Sequence, residues 1–241
     1  MKSREPEAVD DQVLSDVAPR TRTDARKVDG TDTLSGMLRL FARFPTPRLF
    51  AAKAAVLIGA RATLGPPTIW DAVVLGAIAV YWPLQEWFLH ATLLHLEPRT
   101  IFGVRVDPYF ARKHRWHHRH PWVLEGTFLP LRTVLPLVPV NLALWWLVAP
   151  TPASAVTGML GMTLAALAYE LAHYLAHTPY KPKSAYLERV QHNHRLHHFK
   201  NEKHWYAFTV PHLDELMGTG GDVGSVPKSS TTRTLGVDDA A

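Results

Sequence analysis

The 241-residue chain contains no cysteine. This excludes disulfide bridges, thiolate-bound zinc and cysteine nucleophiles, although it says little about the cellular compartment. Charge is missing from one long stretch, because none of the residues from Thr133 to Tyr169 is Asp, Glu, Lys or Arg. The net charge of +5 would suit nucleic acid or an anionic membrane face. The uncharged stretch favours the membrane.

This stretch is too long for one membrane span. A straight helix of its length would measure about 55 Å, whereas a hydrocarbon core is roughly 30 Å thick. The segment APTPAS at 149–154 predicts a tight turn in its middle. We therefore predict two spans, 132–149 and 153–172, and a further apolar segment predicts a third over 69–89.

A fourth span over 48–65 is weaker, because Lys53 and Arg61 interrupt its apolar residues. It would cross the bilayer with both cations snorkelling, or it would dip into the bilayer and return. The competing interpretation is that all these segments are buried helices of a soluble protein.

The ends of the chain are polar. Residues 1–35 are charged and show no apolar core of the kind that signal peptides have. We expect disordered tails at 1–35 and 220–241, and one membrane domain over 36–219.

The predicted sidedness follows from the cations. Residues 96–132 carry seven Lys or Arg against three acids, and residues 173–204 carry six against two, whereas the turn at 149–154 has no charge. The positive-inside rule therefore places both basic segments in the cytoplasm.

Ten of the 14 histidines have regular spacing. They are His90 and His95; His114, His117 and His118; His173 and His177; and His194, His197 and His198. Residues three or four apart share a helix face, so most groups should aim their rings in roughly one direction. An i, i+5 pair lies about 140° apart on a regular helix, so His95 should follow the helix end or lie on a distorted turn.

These histidines indicate a metal site. Neutral imidazole binds zinc, copper, nickel and iron, and ten imidazoles exceed the three or four ligands of one zinc ion. Ten suit two metals, which serve either O2 activation or two-metal hydrolysis. A histidine-rich basic stretch also occurs in nucleic-acid or headgroup binding and in pH sensors. The irregular His120, His192, His204 and His212 are expected to be ordinary surface or core residues. For His120 and His192, which lie close to the motifs, the alternative is a role in orienting the ligands.

Three carboxylates are candidates for orienting the ligands: Glu86, Glu170 and Asp214. A carboxylate that accepts the far N–H of a ligand imidazole fixes its tautomer. Pairing with an arginine is an equally good interpretation of Glu86 and Glu170. Soluble di-iron bundles use two Glu-x-x-His motifs and zincins use HExxH, but this chain has one of the former and none of the latter.

Four blocks in order resemble the fatty acid hydroxylase/sterol desaturase superfamily, and the fatty acid 2-hydroxylase branch most closely. They are EWFLHATLLH, KHRWHH, YELAHYLAH and HNHRLHHFKNEKHWYAFTVPHLDELMGT, over about 86–219. Two departures are Glu170, where the family often has Asp, and Leu213, where a tryptophan precedes the tail aspartate.

The resemblance implies an all-α integral membrane protein with about four transmembrane helices and a cytoplasmic helical cap that carries a dimetal site. It implies the ten histidines as ligands of two iron ions, O2 as co-substrate, and a membrane lipid hydroxylated on its acyl chain, with position 2 favoured. Zinc competes well for imidazole and would be unsurprising in purified protein. The electrons are expected from a separate cytochrome b5-like protein, ferredoxin or reductase, and nucleic acid is not an expected partner.

Other functions stay open at this point. A sterol or carotenoid oxidase or desaturase would carry the same ligands, since substrate choice depends on residues that line the spans. A non-redox two-metal lipid hydrolase would need a general base, for which Glu86, Glu170 or Asp214 could serve. A metal-storing membrane protein would not require such ordered spacing.

Overall fold

The computed structural model describes residues 22–237, and residues 1–21 and 238–241 lie outside this part. The elements in chain order are α1 (Leu34–Phe41), α2 (Pro45–Ala62), α3 (Ile69–Phe88), a π-helical turn (Leu89–Leu94), β1 (Arg99–Ile101), β2 (Val104–Val106), α4 (Tyr109–Arg119), a 3₁₀ turn (Leu124–Gly126), α5 (Leu131–Val148), α6 (Pro152–Ala176), α7 (Ala185–Phe199) and α8 (Leu213–Leu216). The described fold is therefore helical, with one short antiparallel hairpin formed by β1 and β2.

Three segments of the described chain are long and apolar enough to cross a membrane: Ile69–Leu94, Leu124–Val148 and Pro152–Ala176. They coincide with the three stronger predicted spans. The predicted turn is also present, and Thr151 caps α6 by accepting a hydrogen bond from the amide of Ser154. Large apolar side chains of α5, such as Leu135, Val140 and Leu147, are exposed, as expected for a helix surface that faces lipid.

The helix α6 is the centre of the bundle. In the most apolar 18-residue stretch of α6, 61% of the residues are buried. The corresponding share is 17% for the segment that contains α3 and 6% for the segment that contains α5. Small residues permit close packing, since Gly158 lies against Trp145 of α5 and Gly161 lies against Ile78 of α3. The helices α2, α3, α5 and α7 all pack on α6, whose last turn carries His173.

The weakest predicted span corresponds to α2, which is not among the candidate spans of the described residues. α2 runs antiparallel along α6, because Phe50 packs in one cluster with Ala166 while Leu57 packs in another with Ala155. The structure thus gives three candidate spans, and α2 is an additional helix on the same scaffold.

The two cations of α2 have partners within the bundle. Lys53 donates to the side-chain oxygen of Asn141 at 3.2 Å. Arg61 pairs with Asp71 at 3.0 Å, and Thr157 of α6 also donates to that carboxylate. Lys53 is therefore hydrogen-bonded and Arg61 is ion-paired within the bundle. The interpretation of this segment as a span with snorkelling cations predicted instead that both side chains would extend to the membrane surface.

The described parts of the two predicted tails are packed. Ala25 is fully buried, and its amide donates to the carbonyl of Trp122. At the other end Val226, Thr232 and Leu235 are buried. The predicted disorder of 1–35 and 220–241 thus differs from the structure over 22–35 and 220–237, where isolated apolar residues and main-chain hydrogen bonds hold polar sequences. The remaining residues of those predictions lie outside the described part.

Candidate metal centre

All ten regularly spaced histidines gather in two adjoining clusters. The first cluster is His90, His95, His114, His118 and His197, and the second cluster is His117, His173, His177, His194 and His198. In each cluster one nitrogen of every ring lies within 4.8 Å of the corresponding nitrogens of the others. The clusters touch, because the rings of His118 and His198 stack with their centroids 4.1 Å apart.

Each HxxHH motif is divided between the two clusters. On α4, His114 and His118 join the first cluster and His117 joins the second. On a helix, residue i+4 lies about 40° from residue i, whereas i+3 lies about 60° away in the other direction. α7 repeats the division with the clusters exchanged. Each motif therefore aims its three rings into the same region, as its spacing predicted, but divides them between the two adjoining clusters.

The spacing of His90 and His95 is resolved by the π-helical turn Leu89–Leu94. His90 lies within this turn and His95 follows its last residue. A π-helix closes i→i+5 hydrogen bonds, so it holds more residues per turn than an α-helix and brings such a pair together. The predicted distorted turn is confirmed, and both rings enter the first cluster.

The ring nitrogens converge within each cluster. In the first, Nε2 of His114 lies 3.2 Å from Nε2 of His95 and 3.2 Å from Nε2 of His118. In the second, Nε2 of His117 lies 3.1 Å from that of His177 and 3.0 Å from that of His173, and Nε2 of His177 lies 2.8 Å from that of His194. These nitrogens therefore point at common centres.

Main-chain carbonyls fix the tautomer of three rings in the first cluster. Nδ1 of His90 lies 2.6 Å from the carbonyl oxygen of Tyr206, Nδ1 of His118 lies 2.8 Å from that of Thr232, and Nδ1 of His197 lies 2.8 Å from that of His204. A carbonyl only accepts hydrogen bonds, so each Nδ1 carries the proton and each Nε2 presents a lone pair. The buried Nε2 atoms of His90 and His197 have no hydrogen-bond partner within residues 22–237. Inward lone pairs without donors fit a bound cation.

Burial keeps these imidazoles neutral. It lowers the pKa of every cluster histidine outside the spanning helices: His95, His114, His117, His118, His177, His194, His197 and His198. For His118 burial lowers the pKa to about 3, although the carbonyl of Thr232 partly opposes this shift. Removing a charged group from water disfavours the protonated form, so the lone pairs are available at neutral pH.

Glu86 acts on the main chain rather than on a histidine. Its Oε1 accepts from the amides of Phe208 (2.6 Å) and Thr209 (2.9 Å). Its Oε2 accepts from the Thr209 hydroxyl (2.7 Å) and from Nε1 of Trp82 (3.2 Å). The prediction of direct contact with an imidazole was wrong for this residue. Glu86 instead fixes the segment whose residue Tyr206 contacts His90.

The other two carboxylates also bond to main-chain amides. Asp214 accepts from the amides of Tyr206 (2.9 Å) and Ala207 (3.0 Å), so it holds the same segment from the other side. Glu170 accepts from the amide of Leu129 at 2.8 Å, just before α5 begins. Both acids therefore bond to the main chain, as Glu86 does, and their position relative to the rings depends on how distant segments meet.

The four irregular histidines lie outside both clusters. His120 stacks on Trp116 with centroids 4.6 Å apart, and Nδ1 of His204 lies 3.2 Å from the carbonyl oxygen of Gly220. His192 and His212 are exposed. One of them still matters, because the main-chain carbonyl of His204 contacts His197.

The donor set suits a transition metal. Each cluster offers five imidazoles and no carboxylate. Such ligands suit iron, zinc, copper or nickel and would be a poor set for magnesium or calcium, which prefer oxygen. If metals bind here, the first cluster would hold one ion and the second cluster another.

Comparison with known proteins identifies the family. The family described as "Fatty acid hydroxylase" matches residues 75–219, which is more than half of the chain. The chain belongs to the fatty acid hydroxylase family. All ten cluster histidines and the three carboxylates lie within the matched residues, whereas Thr232 lies beyond them.

Two curated relatives and one solved structure are similar to this family member. Dihydroceramide fatty acyl 2-hydroxylase FAH2 of Arabidopsis thaliana is 29% identical over 165 residues, which cover 68% of this chain and 66% of that protein. Ceramide very long chain fatty acid hydroxylase scs7 of Schizosaccharomyces pombe is 31% identical over 150 residues, which cover 58% of this chain and 40% of that protein. A structure of full-length scs7p with only its hydroxylase domain visible has a TM-score of 0.61 at 20% identity, covering 77% of this chain and 68% of that one. This last likeness concerns the fold.

Sequence reasoning missed three groups that position the rings, namely the carbonyls of His204, Tyr206 and Thr232. A main-chain carbonyl leaves no mark in the residue type. The sequence feature that came nearest to them was the presence of Glu86 and Asp214. These two carboxylates bond to the segment that contains one of the three carbonyls, that of Tyr206.

Proposed function

We propose that this chain is a membrane-bound, O2-dependent lipid hydroxylase that binds two iron ions through its ten cluster histidines and hydroxylates an acyl chain, with position 2 favoured. The observation that carries the proposal is the convergence of ten imidazoles, nine of them buried and that of His95 half-buried, on two adjoining centres. Family membership supports the reaction class. The names of the two relatives, both hydroxylases and one a fatty acyl 2-hydroxylase, support the substrate class and the position.

The bound metals would supply the redox chemistry of O2 activation. Converting one C–H bond to C–OH uses one O2, two electrons and two protons, and the second oxygen atom leaves as water. The electrons require a separate donor, for which a cytochrome b5-like protein, a ferredoxin or a reductase would serve.

The protein's own contribution is to orient the ligands and exclude water. Phe208 is 1% exposed and its ring spans both clusters, with centroids 5.1 Å from His90 and 4.5 Å from His194. Tyr169 packs edge-on against Phe208 at 5.1 Å. This apolar cover keeps solvent from the reacting centre, which limits side reactions of activated oxygen.

The proposed topology places the clusters on the cytoplasmic face. The basic segments 96–132 and 173–204 belong to the end of the bundle that carries the clusters, which the positive-inside rule assigns to the cytoplasm. We include α2 as a fourth span, because it lies antiparallel along α6 and its cations have partners inside the bundle.

The principal competitor is a two-metal lipid hydrolase, which needs a free general base near the metals. Both oxygens of Glu86 and both oxygens of Asp214 accept hydrogen bonds from main-chain amides or side-chain donors. Neither of these two carboxylates is free to take a proton from water. The third candidate base, Glu170, is completely buried and only its Oε1 accepts a hydrogen bond, from the amide of Leu129, so the isotope experiment below decides between the hydrolase and the hydroxylase.

The test uses the full chain purified in detergent and loaded with iron. It is incubated with ¹⁸O₂, a reductant and, as electron donor, a cytochrome b5-like protein or a ferredoxin. Ceramides, free fatty acids, sterols and carotenoids are offered in separate reactions. A 2-hydroxyacyl product carrying one ¹⁸O atom is expected. Labelled sterol or carotenoid would replace the acyl assignment, and released acyl chains without ¹⁸O would identify a hydrolase. The matched controls are the variants His197→Ala, expected to be inactive, and His204→Ala, expected to be active.

A further inference from the structure

We propose that residues 226–237, here called the strap, position the metal ligand His118 and thereby complete the first cluster. The inference rests on the proposed function only in that the clusters bind metal. The strap lies beyond the residues that match the family. Its Thr232 carbonyl oxygen lies 2.8 Å from Nδ1 of His118, whose side chain is completely buried.

One end of the strap is fixed to the residues that follow α7. Nδ2 of Asn201 donates to the carbonyl of Pro227 at 3.0 Å, and the amide of Ser229 donates to the carbonyl of Lys200 at 2.8 Å. The buried carboxylate of Glu202 accepts from the hydroxyl groups of Ser229 (3.0 Å) and Thr231 (2.5 Å). The strap is therefore anchored close to the helix that carries His194, His197 and His198.

The other end of the strap is fixed to the end of α4. The guanidinium of Arg233 donates to the carbonyl of Arg119, the residue after His118. The guanidinium of Arg119 in turn donates to the carbonyl of Val237 at 3.5 Å. Leu235 lies between these contacts and is 6% exposed. The strap thus joins the ends of the two helices that carry the HxxHH motifs, with Thr232 between the two anchors.

The contact to His118 has a defined consequence. A carbonyl that accepts from Nδ1 holds the proton there and leaves Nε2 free for a metal. Without the strap, Nδ1 of His118 would lose this partner, and the ring could rotate or change tautomer. Losing such a partner typically weakens metal affinity by about 10- to 100-fold.

The effect should be confined to one cluster. Within the described residues, the strap's hydrogen bonds reach His118 and no histidine of the second cluster. The other two carbonyls of the first cluster come from His204 and Tyr206, and Tyr206 is held in place through its amide by Asp214. Loss of the strap should therefore weaken metal binding at the first cluster by about 10- to 100-fold and leave the second cluster unchanged.

The experiment measures metal per chain by mass spectrometry on purified holoprotein, after dialysis against the highest chelator concentration at which the full chain keeps both metals. The variant ends after Ser225, and the matched control ends after Val237, which preserves every strap contact named above. We expect about two metals per chain in the full chain and the control, and about one in the strap deletion. Thr232→Ala should retain two, since the carbonyl remains. Adding a synthetic 226–241 peptide to the deletion should restore the second metal.

Combination with ligand variants locates the loss. In the strap deletion, His114→Ala should cause no further loss, because it affects the same cluster, whereas His173→Ala should remove the remaining metal. The metal retained by the deletion also shows that it has folded. Two metals in the deletion would overturn the strap proposal, and so would loss of both metals, which would indicate general unfolding. A full chain that holds two metals but does not react with O2 would overturn only the proposed function. A full chain without metal would overturn both.

Discussion

The role assigned to Glu86 gives a quantitative prediction for the variant Glu86→Ala. The substitution removes the acceptor of two buried amides, Phe208 N and Thr209 N, which lie 2.6 and 2.9 Å from Oε1. It also removes the partner of the Thr209 hydroxyl and of the Trp82 indole N–H. The segment that carries Tyr206 would then lose its attachment to α3.

The magnitude follows from the two orphaned amides. A buried donor left without an acceptor costs about 1–3 kcal/mol, so the pair costs about 2–6 kcal/mol. Total stability is about 5–15 kcal/mol for a typical domain, so we expect a folded protein with a loosened segment. Because His90 depends on the Tyr206 carbonyl, metal affinity at the first cluster should fall by at least about tenfold, which corresponds to about 1.4 kcal/mol.

Two measurements check this prediction. Hydrogen exchange should show faster exchange of the amides of residues 205–209 in Glu86→Ala, and dialysis against a chelator should remove metal at a lower chelator concentration. In Glu86→Gln, amide exchange and metal retention should be intermediate between those of the parent and Glu86→Ala. The glutamine oxygen can accept from the two amides, but its NH₂ group faces another donor, the indole N–H of Trp82. The lipid-facing control Leu84→Ala should match the parent. Parental exchange rates and metal retention in Glu86→Ala would refute the assigned role.

Three further predictions concern ligands, pH and packing. His197→Ala should lower metal content and abolish hydroxylation, whereas His204→Ala should leave both nearly unchanged, because the carbonyl that contacts His197 remains; equal losses would contradict the ligand assignment. The metal-free protein should lose stability as pH falls from 6.5 towards 3, because the unfolded state then binds protons that buried His118 does not. This residue alone contributes about 1.4 kcal/mol per pH unit in that range, and denaturant titrations from pH 8 to pH 4 should show a flat upper region followed by the decrease. Gly158→Ala should lower stability by about 1–3 kcal/mol, because its Cβ would enter the ring of Trp145. Gly76→Ala, which meets nothing within 4 Å, is the matched control in thermal unfolding, and equal unfolding temperatures would argue against close packing of α5 on α6.

Several features of the fold and site followed from local patterns. The uncharged run and its proline-containing turn predicted α5 and α6, because hydropathy and turn chemistry are local properties. The i, i+5 spacing of His90 and His95 predicted a distorted turn, because a regular helix separates these positions. The regular spacing also identified the ten histidines that the structure brings together.

Other features depended on contacts between distant segments. The division of each HxxHH motif between two clusters requires ligands from the π-helical turn after α3 and from α4, α6 and α7 to meet, and this depends on how those elements pack. The same holds for α2, whose Lys53 and Arg61 looked costly in the sequence but have partners on α5 and α3.

The sequence by itself determined which side chains are available to bind metal and that apolar helices accompany them, since residue type and spacing are properties of the chain alone. Only the tertiary structure decided how the ten imidazoles divide into five and five. It also decided which carbonyls fix their tautomers, and that Thr232, 114 positions from His118, supplies one of them. The physical reason is that a carbonyl is present at every residue, so its effect depends on where folding places it.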